Sequence, residues 1–240
     1  MYAQTNMPDL QTADNAFFDP THMDKQEKES YHFAVNYRLE IGYVQNNQRT
    51  PNLSFPNMFL HGVRVGGTFD FLLPAHFSLQ TGLLFNVAYG TNEQHSRSMD
   101  AASSMEEYQQ HRVLEWTAIV PIHCYYTIPL WKQLNLFFFT GLDMSIGLIE
   151  HDFIHNNLSP RVQEEWIEKN GYHLDEYDRY TANELHRFNA QWVLGGGFEW
   201  DKYRLQAGYD FGLNNLVKSP ILSEQKMNEW SWFVAFAIRL

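Results

Sequence analysis

Eight stretches of this 240-residue chain alternate bulky apolar residues with polar or small ones at period two, and no other feature restricts the fold so tightly. In the last, WSWFVAFAIRL at 230–240, Trp230, Trp232, Val234, Phe236, Ile238 and Leu240 fall on one face of a strand. Ser231, Phe233, Ala235, Ala237 and Arg239 fall on the other. The earlier runs are HFAVNYRLEIGYV (32–44), FLHGVRVGGTFDFLL (59–73), FSLQTGLLFNVAYG (77–90), VLEWTAIVPIHCYYTI (113–128), LNLFFFTGLDMSIGL (134–148), FNAQWVLGGGFEW (188–200) and YRLQAGYDFGL (203–213). Each has the roughly 9–11 residues, or more, that a tilted strand needs to cross a bilayer.

The connections alternate too. Those near 74–76, 129–133 and 201–202 are tight, whereas 45–58, 91–112, 149–187 and 214–229 are long. Across the two-residue link Asp201–Lys202, Trp200 should face Tyr203 and Glu199 should face Arg204, an opposite-charge cross-strand pair. Pro121 lacks the N–H that a ladder uses, so a bulge or local break is expected there. The pattern predicts an all-β protein, an eight-stranded antiparallel transmembrane β-barrel with short periplasmic turns, long extracellular loops and both termini on the short-turn side.

A soluble cup with its apolar face inward would alternate in the same way, and volume separates the two. Eight strands enclose a space barely wider than the side chains that fill it. The Phe, Leu, Trp, Tyr, Ile and Val of the apolar faces are too many for that space. The opposite faces carry Gly62, Gly66, Gly82, Gly141, Gly195, Gly197 and Gly208, which suit a crowded interior. The bulky face must then look outward, and a continuous apolar exterior requires lipid. Tyr43, Tyr89, Trp116, Tyr126, Trp200, Tyr203 and Trp230 stand near run ends on that face, where interfacial girdles belong. Mean hydropathy of −0.43 and the lack of an 18-residue apolar run exclude an ordinary helical span. A net charge of −11 argues against nucleic acid as a partner.

The inward faces carry a charge network: Arg38, Arg64, Arg204 and Arg239 beside Glu40, Asp70, Glu115, Asp143, Glu199 and Asp210, with His123 among them. Buried charges must pair, so a salt-bridged plug is expected in place of a catalytic or conducting lumen. His123 and Glu115 lie about 26 Å apart along a strand, too far for joint acid–base work. His95–Ser98 (HSRS) alone resembles the serine–histidine sites of lipid-modifying barrels. His151, His155 and His173 with Asp152, Glu164, Glu165 and Asp175 match no metal-ligand spacing. No catalytic residue, metal site or cofactor is assigned. The single cysteine, Cys124, forbids an internal disulfide.

Residues 1–31 are polar and aperiodic and form an N-terminal periplasmic arm to the barrel domain at 32–240, with Phe17 and Phe18 as candidate partner contacts. In the longest loop, SPRVQEEWIEKNG (159–171) has the capping signals of a short helix, and Trp166 and Tyr172 are further candidate contacts. Expected partners are the lipid bilayer and other outer-membrane or periplasmic proteins of an envelope complex.

Two blocks resemble a known family. LEWTAIVPIHCYYTIPLWKQLNLFFFTGLDMSIGL is similar to the strand, Ile/Val-Pro, strand, short turn, Gly-containing strand arrangement of the PorT-like outer-membrane barrels of Bacteroidota. GGGFEWDKYRLQAGYDFGLNNL resembles their next hairpin, down to Tyr209, Gly212, Leu213, Asn215 and Leu216. The resemblance covers about 33–240 and implies an outer-membrane location in a Gram-negative bacterium and an accessory role in type IX protein secretion. The chain departs from the usual terminal aromatic by ending on Leu240. The opening MYAQTNMPDL lacks the basic start and apolar core of a signal peptide, and its Ala-Gln followed by polar residues resembles the start of a processed export protein. A lipid-modifying enzyme and a narrow ion pore are the alternatives from other functional classes.

Overall fold

The computed structural model describes residues 34–49, 57–97, 106–157, 176–218 and 226–240. The arm at 1–31 with Phe17 and Phe18, the expected helix at 159–171, Trp166 and Tyr172 lie outside the described residues. The described part belongs to one unit, Phe33–Leu240. It holds nine strands: β1 (Val35–Arg49), β2 (Met58–Leu72), β3 (Phe77–Arg97), β4 (Glu106–Trp131), β5 (Leu134–Asn156), β6 (Tyr177–Asp178), β7 (Phe188–Trp200), β8 (Tyr203–Gly212) and β9 (Asn228–Arg239).

Eight of them are staves of a closed antiparallel ring, β1 to β5 followed by β7, β8 and β9, with β9 returning to β1. Each stave pairs on both sides, so the ring satisfies its backbone groups internally. The two-residue β6 is an addition against β5, at His151 and Asp152. The three tight connections fall at one rim. Ala75 and His76 take φ of 59° and 66°, and Asp201 takes 53°, the left-handed conformations that reverse a strand in a few residues. The last hairpin has the expected register, Trp200 opposite Tyr203 and Glu199 opposite Arg204.

The break expected at Pro121 is present, and two findings depart from the sequence expectations. Around Pro121 the ladder with β3 passes from Ile122 to Ile119 without pairs for Val120 and Pro121, yet the register is unchanged. The ladder with β5 runs straight through Pro121 opposite Asp143. The proline therefore makes the expected local break, in one ladder only, and no bulge. Register shifts lie elsewhere in the β4–β5 ladder: Trp116 pairs with Ile149 and Thr117 with Gly147, leaving Leu148 extra on β5, and next to the tight turn Leu130 is extra on β4. Finally, β3, β4 and β5 contain 21, 26 and 23 residues, well beyond β8 with 10. Much of the expected loop at 91–112, and the start of that at 149–187 as far as Asn156, is thus strand. Hydrophobic alternation fades where neither face meets lipid, but the hydrogen-bonded ladder continues.

Inside the ring, Val44, Tyr125, Phe137, Phe139, Val193 and Phe233 form a buried apolar cluster, with Tyr125 and Phe139 stacked at 4.9 Å between centroids. These large rings fit because glycines face them. A Cβ on Gly195 would strike the Phe139 ring, and one on Gly208 would strike Phe233.

Candidate functional site

The barrel has two functional surfaces, its outer wall and its interior. On the wall, Tyr37, Leu39, Ile41, Val63, Val65, Leu83, Phe85, Ile122, Phe138, Leu142, Leu194, Leu205, Val234 and Phe236 are all exposed, and they surround the ring. Tyr43, Tyr89 and Trp116 edge this belt toward the long loops, and Phe77, Tyr126, Trp200 and Tyr203 toward the tight turns. From Trp116 to Tyr126 the strand runs ~33 Å at about 3.3 Å per residue, and a tilt of roughly 40° reduces that to about 25 Å of height, the apolar band of a membrane barrel. Water would not tolerate such a belt, so the wall faces lipid.

The interior charges form tiers. In the tier nearest the tight turns, Arg38 Nε donates to Asp70 Oδ2 at 2.6 Å and Arg38 Nη2 to Glu199 Oε2 at 2.9 Å. Arg204 Nη2 bridges the same two carboxylates, at 3.0 Å to each, and its guanidinium lies 4.7 Å over the Tyr125 ring. Arg239 stands at the rim, half-exposed, 3.9 Å from Glu199 and donating to the Asp201 carbonyl at 3.1 Å. Glu40 accepts from Gln206 Nε2 at 2.9 Å.

In the middle tier, Arg64, 1% exposed, sets Nη2 3.3 Å from Asp210 and Nη1 3.9 Å from Asp143, with its guanidinium 4.2 Å over Phe233. His123 Nε2 lies 2.6 Å from Asp143 Oδ1, and Ser231 Oγ donates to Asp210 Oδ2 at 2.6 Å. The tier arises because β2, β4, β5, β8 and β9 each turn one polar residue inward at this level. Glu115 is the one predicted member set apart. It lies toward the long loops and accepts from Asn46 Nδ2 at 3.1 Å and Thr117 Oγ1 at 2.8 Å.

The sequence reading omitted the tier at the long-loop mouth. The bulge at Leu148 shifts the phase of β5, so that Glu150 and Asp152 turn inward and are buried. Arg179, from the segment after β6, donates to Glu150 Oε1 at 2.7 Å and to Gln48 Oε1 of β1 at 3.3 Å, joining staves from different parts of the ring. Tyr180 follows and donates its hydroxyl to Glu150. Burial, then the charges of Glu150, Glu115 and Glu229, push that hydroxyl far above the ordinary tyrosine range, so it stays a donor. Tyr180 also packs on the cluster Leu185, Leu216, Val217 and Met227, and Arg187 donates to the Gly147 and Leu148 carbonyls at 3.1 and 2.8 Å. The available signal was Leu148–Ile149, two bulky neighbours after which acidic residues alternate with His151 and Phe153.

Two outcomes follow for this segment. A side chain on Gly147 would enter the Tyr180 ring. Gly147→Val is therefore expected to weaken docking of 176–187 by about 1–3 kcal/mol, seen as faster proteolysis within the segment while the barrel stays intact. Asp178 accepts from the Thr181 backbone at 2.7 Å, the Thr181 hydroxyl at 2.9 Å and the Glu150 amide at 3.1 Å. Slight burial pulls its pKa up, but these donors outweigh it and hold the carboxyl below its ordinary 3.8. A depressed value gives stability that is present above pH 3.8 and lost as pH falls through the folded value. The Thr181 amide resonance should titrate with a midpoint below 3.8, and Asp178→Asn should abolish that titration.

His151 and Asp152 take opposite faces. His151 lies 4.5 Å from the Phe153 ring and 3.9 Å from Glu176, while Asp152 meets His111 Nδ1 at 2.8 Å. His173, Glu164, Glu165 and Asp175 lie outside the described residues, as does Ser98, and among the described residues no three potential ligands converge.

No protein-family model matches the chain, and no curated protein matches it in sequence. Solved structures are similar in outline. Ail, the attachment invasion locus protein of Yersinia pestis, is 10% identical over 85% of this chain and 98% of its own, with a TM-score of 0.35. Neisserial surface protein A is 8% identical over 86% and 99%, with a TM-score of 0.41. OprG, an outer membrane protein of Pseudomonas aeruginosa, is 8% identical over 87% and 97%, with a TM-score of 0.31. The fold assignment rests on the closed ladder and the apolar belt. This is an eight-stranded transmembrane β-barrel of the outer-membrane type.

Proposed function

We propose that the protein resides in the outer membrane of a Gram-negative bacterium and acts as a non-enzymatic component of an envelope assembly, its lumen plugged by its own side chains. The observation that supports this most is the buried pairing across the ring of Arg38 with Glu199, Arg64 with Asp210 and Arg204 with Asp70, closed at the mouth by Arg179 on Glu150. A lumen so occupied leaves little room for an aqueous path, and eight strands are few for one. What remains for function is the outside of the molecule: the wall, the tall β3–β5 extension and the loops. Protein secretion of the type IX kind is the first process to test, on the strength of the sequence resemblance.

The test is affinity capture of the full chain from detergent-solubilised outer membrane. Recovery of secretion components in fixed proportion supports the reading. Lipid A acyl chains that change in step with expression would favour an enzyme, and discrete conductance steps in planar bilayers would favour a pore. Either result would overturn it.

A further inference from the structure

At the tight-turn rim, the outward residues Trp131, Leu134 and Trp200 form one lateral row across β4, β5 and β7, because Trp131 pairs with Leu134 and Leu134 with Trp200. With Lys132 and Gln133 of the turn they line an open notch of about 420 Å³. The two indoles are 79% and 60% exposed, the largest values among the wall aromatics, so both present bare surface to whatever fills the notch. The turn is held in place: the Asp201 amide donates to the Gln133 carbonyl at 3.1 Å, and the Arg239 guanidinium holds the Asp201 carbonyl. Lys132, in contrast, has no hydrogen bond or ion pair among the described residues, although the chain as a whole carries a net charge of −11.

We infer that this notch is a binding site for one glycerophospholipid of the leaflet that faces the tight turns. Lys132 takes the phosphate, the indoles of Trp131 and Trp200 flank the glycerol region, and the acyl chains run over Leu134 onto the apolar wall. The arrangement places a cation at the level where phosphates lie, immediately beside the lower edge of the belt, with indoles at the headgroup boundary. A free anion would use the lysine alone and leave the two indoles in water. The inference rests on the lipid-facing reading of the wall.

The test is native mass spectrometry of the full chain, released from detergent micelles and titrated with phosphatidylethanolamine, phosphatidylglycerol or uncharged diacylglycerol. Wild type should retain one phospholipid through collisional activation and release diacylglycerol. Lys132→Gln should bind about fivefold more weakly and Lys132→Arg should match wild type, whereas Lys218→Gln should change nothing, since Lys218 follows β8 at the long-loop rim, where its ammonium donates to Asn183 Oδ1 at 2.8 Å. Trp200→Ala keeps the lysine and should also lose retention, which guards against a folding defect at the turn. Equal retention by wild type and Lys132→Gln, or diacylglycerol held as tightly as phospholipid, would overturn the site while leaving the barrel reading intact. A chain that stayed monodisperse without any detergent would overturn the barrel reading, and the site with it.

Discussion

Arg64→Met is expected to destabilise the barrel by about 3–5 kcal/mol, the largest single-residue effect in the interior. The guanidinium is buried between Asp210 and Asp143 and lies over Phe233, and among the described residues no other arginine pairs with either carboxylate. Methionine fills much of the volume but leaves Asp210 with no cation beside it and Asp143 with His123 alone, and a buried carboxylate without its cation is costly. Urea unfolding in micelles, followed by the mobility shift between folded and heated barrel, measures the loss. Adding Asp210→Asn should restore part of it, since the charge left behind is then removed. If Arg64→Met alone were neutral, the middle tier would not hold the ring together.

Leu83→Arg is the second large effect, and it reports on the wall. Leu83 lies midway between Phe77 and Tyr89 on the outward face of β3 and is exposed. A charge at the middle of the hydrocarbon layer costs about 2–4 kcal/mol, and one at the interface about 0–1. Leu83→Arg should therefore cost several times more than Tyr89→Arg when unfolding is measured in phospholipid bilayers. On a water-facing wall both would be close to neutral, so the ratio separates the two orientations.

Most of the fold was legible in the sequence because lipid outside and a crowded lumen inside impose opposite demands on alternate residues. Runs such as YRLEIGYV (37–44) and SWFVAFAI (231–238) record both demands without ambiguity. The signal weakened where the demands relaxed. In Leu136–Phe139 four bulky residues follow one another, and the inward phase of Phe137 and Phe139 has to be carried in from Asn135, Asp143 and Ser145 on the same face. Above the belt, β4 and β5 continue as strands with Gln, Glu and His on both faces, so period two no longer marks them. The charge network was readable as a set of inward residues, but apart from Glu199 with Arg204 across the last hairpin its pairing was not. Arg38 and Glu199 are 161 positions apart, and the ring's closure alone brings them together. The mouth tier was hidden for another reason. A single extra residue at Leu148 reverses which side chains of β5 face inward, and the arginine that answers Glu150 comes from an irregular segment without any periodicity.

The most direct measurement uses the only cysteine. Cys124 is exposed on the outer wall, between Ile122 and Tyr126 within the apolar band. A nitroxide attached there, in protein reconstituted into phospholipid vesicles, should relax strongly through collisions with dissolved oxygen and hardly at all with a water-soluble nickel chelate. Ready collision with the chelate would place Cys124 in water and contradict the orientation of every strand in the ring.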